Sequence, residues 1–211
     1  MARKTKEEAE RTRTRILASA LTLFVRNGYE RTTFTDIAAR LKLTKGAVYW
    51  HFESKEKLLV ALVDEMLGRF QRQLDALMPK EELTFPAVAE MMVADAGLIV
   101  KDQKGMAFFM LMKTQVKWQS DSMAKVREQL LTGTTDGPYH AFCRAIENDI
   151  AAGRALAGTD VAAVAAVAMS IWDGLVRARI ERFFASDLTA TLRQAYAAMW
   201  NAIRIQRPPV K

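Results

Sequence analysis

The sequence predicts an all-α chain of about nine helices in two parts: an N-terminal three-helix domain over residues 1–57 and a helical C-terminal domain over 58–211. Three observations predict it. Apolar residues recur at spacings of three and four through most of the chain. Ser, Thr or Asp stands just ahead of these runs, where a side-chain oxygen can accept from free first-turn amides. No stretch alternates apolar and polar residues as a half-buried strand does, and no repeat or low-complexity segment is present.

Residues 1–6 are basic. They suit either an arm that reaches phosphates or a minor groove, or a disordered tail. The first helix is expected over Lys6–Asn27, with Ile16, Ala20, Leu23 and Phe24 as its stripe. Gly28 ends it, because glycine takes the left-handed conformation at low cost. Tyr29 and Phe34 then seal a small core against Leu23. Thr33 lies three residues before Asp36, the spacing of a reciprocal capping box. The helix it opens buries Phe34, Ile37, Ala38 and Leu41. Lys42-Leu43-Thr44 breaks the period, and Thr44 is placed to cap a short third helix over Lys45–Phe52, with Val48 and Phe52 inward.

Ser54 can cap a fourth helix that continues to about Leu77. Its broad buried face is Leu58, Leu59, Leu62, Val63, Met66, Leu67 and Phe70. The first part of this helix is expected to pack on the N-terminal core and the second on the C-terminal domain, so one rigid rod could transmit a tilt. Met78–Glu82 reads as a linker. Thr84 and Pro86 suit the start of a fifth helix to Lys101. A sixth is expected over Lys104–Trp118. A seventh starts near Ser122, is interrupted at Gly133, Gly137 and Pro138 with Asp136 able to cap the restart, and ends near Gly153. Asp160 caps an eighth, to about Phe184. Ser186 or Asp187 caps a ninth, to about Ile205, and Pro208-Pro209 stop it. The ninth carries the cleanest stripe: Leu188, Leu192, Ala195, Tyr196, Met199, Trp200 and Ile203.

Charge placement narrows function. Residues 1–57 hold thirteen Lys/Arg against seven Asp/Glu, a net +6; residues 58–211 hold eighteen against seventeen, a net +1. Cation added for solubility alone would be spread more evenly, whereas a concentrated excess is the footprint of a polyanionic partner. The single cysteine, Cys143, excludes an intrachain disulfide. No apolar segment follows the basic start, which argues against a signal peptide. The low-charge run Val161–Trp172 is short for a bilayer. A soluble cytoplasmic protein is expected. Nucleophile–base pairs, glycine-rich phosphate loops and paired carboxylates are missing from the pattern, so no enzyme activity and no cofactor are expected. His51 and His140 have no Cys or carboxylate cluster at ligand spacing, so no metal site is expected.

The third helix is the stretch most specialised for contact. Gly46 and Ala47 allow a backbone to approach a base edge, and Ala47 could touch a thymine methyl. Lys45 can donate to guanine or to phosphate. Tyr49 and Lys55 suit phosphate contact, Thr33 and Thr44 likewise through hydroxyl or cap amide, and His51 suits a phosphate hydrogen bond. Trp50 is either a core wedge or a backbone contact. A solvated face is the bland alternative for Lys45, Tyr49 or His51 taken singly. The run Gly46-Ala47-Val48-Tyr49-Trp50-His51-Phe52 with Lys55 and a long following helix resembles the DNA-binding domain of the TetR family of transcriptional regulators. Gly28 after a first helix fits that family as well, and the opening MARKTKEEAERTR and Trp172-Asp173-Gly174-Leu175 are most similar to its multidrug-efflux, AcrR-like branch. The resemblance is close over the first third of the chain. The break at 133–138 departs from the one long helix usual there.

That resemblance implies a ligand-responsive repressor that reads palindromic double-stranded operator DNA as a homodimer and is released by a hydrophobic small molecule. Efflux is the implied regulated process. Met and aromatic residues of the C-terminal domain are ordinary core residues or line an adaptable cavity. The expected ligand set is Leu67, Met92, Asp95, Met110, Thr114, Phe142, Met169, Trp172, Asp173, Val176 and Arg177. Asp173 is costly in an apolar helix unless paired, either with Arg177 or with a ligand; Asp95 poses the same question. The expected dimer contacts are Val164, Ala168, Leu192, Tyr196, Met199, Trp200 and Ile203, from helices eight and nine. The rivals are an activator or ligand-independent regulator of the same fold and, more remotely, a helical enzyme or carrier.

Overall fold

The computed structural model describes residues 2–77, 82–121, 123–124, 137–183 and 185–205. Among these it holds nine α-helices: α1 (Ala2–Asn27), α2 (Phe34–Leu41), α3 (Lys45–His51), α4 (Lys55–Leu77), α5 (Phe85–Lys101), α6 (Gln103–Met110), α7 (Pro138–Ala151), α8 (Val161–Ile180) and α9 (Leu188–Ile203). A five-residue π-helical segment, Leu111–Gln115, follows α6. No strand is present among the described residues; a single bridge joins Ala155 and Arg204. The chain divides into two compact units, one of residues 1–70 and 103–133, the other of 71–102 and 134–211.

The first unit is built on α1. Ile16, Leu17, Ala20, Leu21 and Phe24 line one side of it and are buried with Phe34 and Ile37 of α2, Val48 of α3 and Leu58, Leu59, Leu62 and Val63 of α4. Phe108 of α6, Leu111 of the π segment and Val116 just beyond it complete this core. Gly28 ends α1 at φ +89°, a conformation in which a Cβ would be strained. Thr32 Oγ1 donates to the Leu23 and Gly28 carbonyls at 3.2 and 2.9 Å, which tightens the turn into α2. α1 begins at Ala2 rather than Lys6: the polar Lys6–Glu10 stretch continues the helix with no breaker ahead of it.

The sixth helix departs from expectation. Apolar spacing predicts one helix to Trp118, but the helix widens at Leu111 and ends at Gln115, where Val116 turns extended and its N–H donates to Leu111 O at 3.2 Å. Thr114 Oγ1 donates to Met110 O at 2.8 Å and Trp118 Nε1 to Met112 O at 2.6 Å, taking up carbonyls near the widened turn. Neither Gly nor Pro marks the place, so apolar spacing could not show it.

In the second unit Phe85, Phe142, Tyr196 and Trp200 form the aromatic centre, with Phe85 stacked on Trp200 at 5.8 Å. Thr84, Asp160 and Asp187 cap α5, α8 and α9, as their spacing predicts. Pro86 lies in the first turn of α5, and Pro138 opens α7. α8 stops at Ile180 rather than Phe184, and Arg182 turns to φ +60°. The expected linker except Glu82, and the expected break at Gly133 with its Asp136 cap, lie outside the described residues; Gly137 is the N-cap of α7.

Candidate nucleic-acid interface

α2 and α3 are held by their own caps before any packing is considered. The Thr33 backbone N–H donates to Asp36 Oδ2 at 2.8 Å, and the Asp36 N–H donates to Thr33 Oγ1 at 3.3 Å, the reciprocal box the spacing predicts. The Thr33 hydroxyl, which donates to Asp36 Oδ2 at 2.7 Å, and then the Thr33 N–H hold the Asp36 carboxyl below its ordinary range. α2 ends with Lys42 in the left-handed region at φ 57°, a strained place for a β-carbon residue. Thr44 Oγ1 then accepts the Ala47 N–H at 3.1 Å and starts α3. Val48 is buried in α3 and Phe52 just beyond it; they anchor the short helix to the core.

The rest of α3 faces outward. Lys45, Gly46, Tyr49 and Trp50 are exposed and Ala47 half-buried. Trp50 is 74% exposed, which removes the core-wedge alternative. Tyr49 rests its ring edge on Phe34 at 4.8 Å, with Lys45 Nζ 5.5 Å from its centroid. The Tyr49 hydroxyl end is therefore presented by a ring with a fixed base. His51 is half-buried; burial, then the neighbouring Arg13, hold its pKa below 6.5, with Glu10 opposing. The imidazole is neutral at pH 7 and offers one N–H donor instead of a second cation. Arg13 lies 5.1 Å over the Phe52 ring.

Lys55 is engaged differently from its neighbours. Its Nζ donates to Tyr29 O at 3.1 Å and Glu30 O at 3.0 Å and sits 4.5 Å from the Tyr29 ring centroid. Thr33 and Thr44 hydroxyls serve as caps, so their outward contacts would come from remaining lone pairs or amides. The surface thus combines exposed cation, small residues, a propped phenol and an exposed indole on one short helix. It can donate hydrogen bonds and stack, and it fits a groove-shaped polyanion.

The expected ligand residues fall in both units. Leu67, Met110 and Thr114 belong to the first, where Thr114 already donates to its own helix. In the second, Met92, Asp95, Phe142, Trp172 and Val176 are buried, Met169 and Asp173 are half-buried, and Arg177 is exposed. Arg177 Nε donates to the Glu181 carboxylate at 3.2 Å, one turn further along α8. Trp172 Nε1 donates to Met92 O at 3.1 Å. Asp95 is the more informative acid: it is 6% exposed, and burial lifts its carboxyl to about 6. Burial and the nearby Asp95 hold the Tyr196 phenol above its ordinary value, while its hydroxyl donates to Ala168 O at 3.3 Å.

Three expected dimer residues, Ala168, Leu192 and Tyr196, are 0–2% exposed and face the unit's own core. Val164, Met199, Trp200 and Ile203 are half-buried. Leu192 and Tyr196 of the α9 stripe thus pack inside the chain. The faces left outside are Ala162, Ala163, Ala166, Val167, Ser170 and Gly174 on α8 and Gln194, Ala197, Ala198 and Asn201 on α9.

Sequence reasoning missed an ionic cluster built on one buried acid. Asp149, 0% exposed, accepts the Phe85 N–H at 2.8 Å and Arg154 Nε at 2.6 Å. Arg154 reaches on to Glu82 at 2.9 Å. Asn148 Nδ2 donates to Leu83 O at 3.0 Å beside it. An acid on the same helix face as Phe142, Ala145 and Ile146, five residues before Arg154, was the available signal.

A basic three-helix unit that presents a capped, outward-facing second helix of a helix-turn-helix defines a DNA-binding regulator. Residues 16–62 match the family described as "Bacterial regulatory proteins, tetR family". The HTH-type transcriptional regulator TtgR of Pseudomonas putida is 31% identical over 179 residues, 84% of each protein. The chain belongs to the tetR family. The fold is shared with NalD, the secondary repressor of the MexAB-OprM multidrug efflux pump in Pseudomonas aeruginosa. That likeness has a TM-score of 0.73 at 20% identity and covers 94% of this chain and 98% of NalD. The SmeT–triclosan complex gives a TM-score of 0.74 at 21% identity, over 94% of this chain and 96% of that one.

Proposed function

We propose that this regulator is a repressor that binds palindromic operator DNA as a homodimer and leaves it when a hydrophobic small molecule occupies the second unit. The observation that carries the proposal is α3: Lys45, Gly46, Tyr49 and Trp50 stand exposed on a helix fixed from behind by Val48. Lys45 would read a base edge or phosphate, Gly46 and Ala47 would allow close approach, and Tyr49, Trp50 and His51 would contact the backbone. Thr33 and Thr44 set the two caps at that surface.

α8 supports the homodimer. It is long and apolar enough to cross a membrane, yet only 22% of its most apolar 18-residue window is buried. Its exposed Ala, Val and Gly residues allow close helix approach, so a second copy packed α8 to α8 and α9 to α9 would cover them. Two recognition helices would then lie one helical turn apart, about 34–36 Å. Met92, Asp95, Phe142 and Trp172 are the core positions where an oily ligand would act. α4 is continuous from Lys55 to Leu77, so a displacement of its far end would carry to Lys55. A tenfold release needs about 1.4 kcal/mol of differential affinity between the two forms. Efflux control is supported by the relatives' names and by triclosan bound to SmeT.

Capture of chromosomal fragments by the purified chain, followed by titration of a captured fragment with and without triclosan, tests this. The expected result is a palindromic fragment beside transporter genes and weaker binding with triclosan. Capture of no preferred fragment would overturn the proposal.

A further inference from the structure

The second unit holds two buried acids among the described residues, and it treats them differently. Asp149 is satisfied by the Phe85 N–H and by Arg154. Asp95, in the middle of α5, has neither a hydrogen bond nor an ion pair among the described residues, and burial is the one influence on its carboxyl. Met91, Met92 and Ile99, three and four residues away on the same face of α5, are buried and apolar.

The donors that could answer Asp95 are committed elsewhere. Tyr196 is close enough for the Asp95 charge to hold its phenol proton on, yet its hydroxyl donates to Ala168 O. The Trp172 indole N–H donates to Met92 O. Arg193, three residues before Tyr196 on α9, is fixed to the Glu90 carboxylate at 2.8 and 3.0 Å, and both side chains are exposed. A carboxylate in an apolar core is costly when it loses water and gains no donor in return. With its pKa at about 6, Asp95 is nevertheless ionised at pH 7.

Those surroundings select among guests. A carboxylate or phosphate guest is repelled. A neutral oily guest can bind the apolar wall, but it leaves the charge as costly as before. A protonated amine brings the missing charge and the missing N–H donors together. The flexible methionines and the Trp172 and Tyr196 rings supply the wall its apolar part needs.

We infer that Asp95 is the specificity-determining residue of the effector site in the second unit, and that the effector is a lipophilic amine recognised through its ammonium group. The inference rests on the proposed release by a hydrophobic small molecule and narrows the class of that molecule.

The test titrates the DNA-free chain by calorimetry at pH 7.5 with octylamine, octanol and octanoate, which share a tail and differ in headgroup. The wild type should bind octylamine about 10- to 100-fold more tightly than octanol, the ratio that one hydrogen bond to a charged group supplies, and octanoate most weakly. Asp95→Asn keeps the side-chain volume and removes the charge. It should erase the preference for octylamine and leave octanol binding at the wild-type value. Equal binding of octylamine and octanol by the wild type, tightest binding of octanoate, or a preference for octylamine that survives in Asp95→Asn overturns the inference. Should the variant not fold, the wild-type ranking of the three headgroups decides. Failure of the wild type to bind any of the three also overturns it, while release of a captured palindrome by triclosan would then leave the proposed function standing. Failure to capture a palindrome would sink that function instead, and the titrations of the DNA-free chain would still decide the role of Asp95.

Discussion

His51 and Asp95 carry the residue-scale predictions, with opposite signs. Burial and Arg13 depress the His51 pKa, so below 6.5 the unfolded chain takes up more protons than the folded one. The stability His51 contributes is complete above 6.5 and is lost as pH falls from that value through the lower pKa of the folded chain. His51→Gln should remove this component from a denaturation series taken between pH 7.5 and 5.5; an unchanged series contradicts it. Asp95 is a buried acid raised from 3.8 to about 6, so ionising it destabilises the fold as pH rises between those values. Asp95→Asn should stabilise the chain at pH 7 by an amount on the order of 1–3 kcal/mol, and have little effect near pH 4. Thermal melts at the two pH values check this, and equal effects at both would refute the assignment to ionisation. A cationic or donor group of a ligand placed at Asp95 would gain from the same buried carboxylate. Asp173, the acid singled out by sequence, lies half-buried on α8; the exposure of an acid within an apolar run depends on neighbours that spacing does not reveal.

The caps were legible because a cap is a local contract between residues three apart. Thr33 with Asp36, Thr44, Asp160 and Asp187 all do what their spacing implies. Thr33→Ala should cost about 1 kcal/mol in chemical denaturation, as capping losses do; no change would mean that packing alone fixes α2. The π segment and the Asp149 cluster were not legible, for a shared reason. Each depends on a partner brought close by folding: Trp118 returning to Met112, and the start of α5 meeting the end of α7. Asp149→Ala leaves the Phe85 N–H without its buried acceptor, while Arg154 keeps Glu82. The expected loss is about 1–3 kcal/mol, the cost of an unsatisfied buried donor, read from the shift in denaturant midpoint. A loss below about 1 kcal/mol would show the cluster to be dispensable.

At the scale of the whole molecule, the order of helices and the concentration of positive charge in residues 1–57 were both visible in the sequence, and they suffice to define the class. Which face of α8 and α9 a second copy would cover was not. An apolar stripe on a helix looks the same whether its partner is in the same chain or another, and Ala168, Leu192 and Tyr196 turned out to face inward. The proposed interface therefore shifts to exposed small residues. Val167, 50% exposed, is the position to challenge: Val167→Glu should give a monomer by sedimentation while leaving helix content intact. A dimer that persists would place the interface elsewhere.

The most direct test of the α3 surface is a salt-dependent titration of one palindromic operator duplex with the wild type, Lys45→Ala and Trp50→Ala chains. Log affinity for the wild type should fall linearly with log salt, at about 0.9 per phosphate neutralised, with two protomers per duplex. Lys45→Ala should weaken operator binding more than binding to unrelated DNA, and Trp50→Ala should weaken both alike. Salt-independent binding, or wild-type affinity in both variants, would contradict the placement of the reading surface on α3.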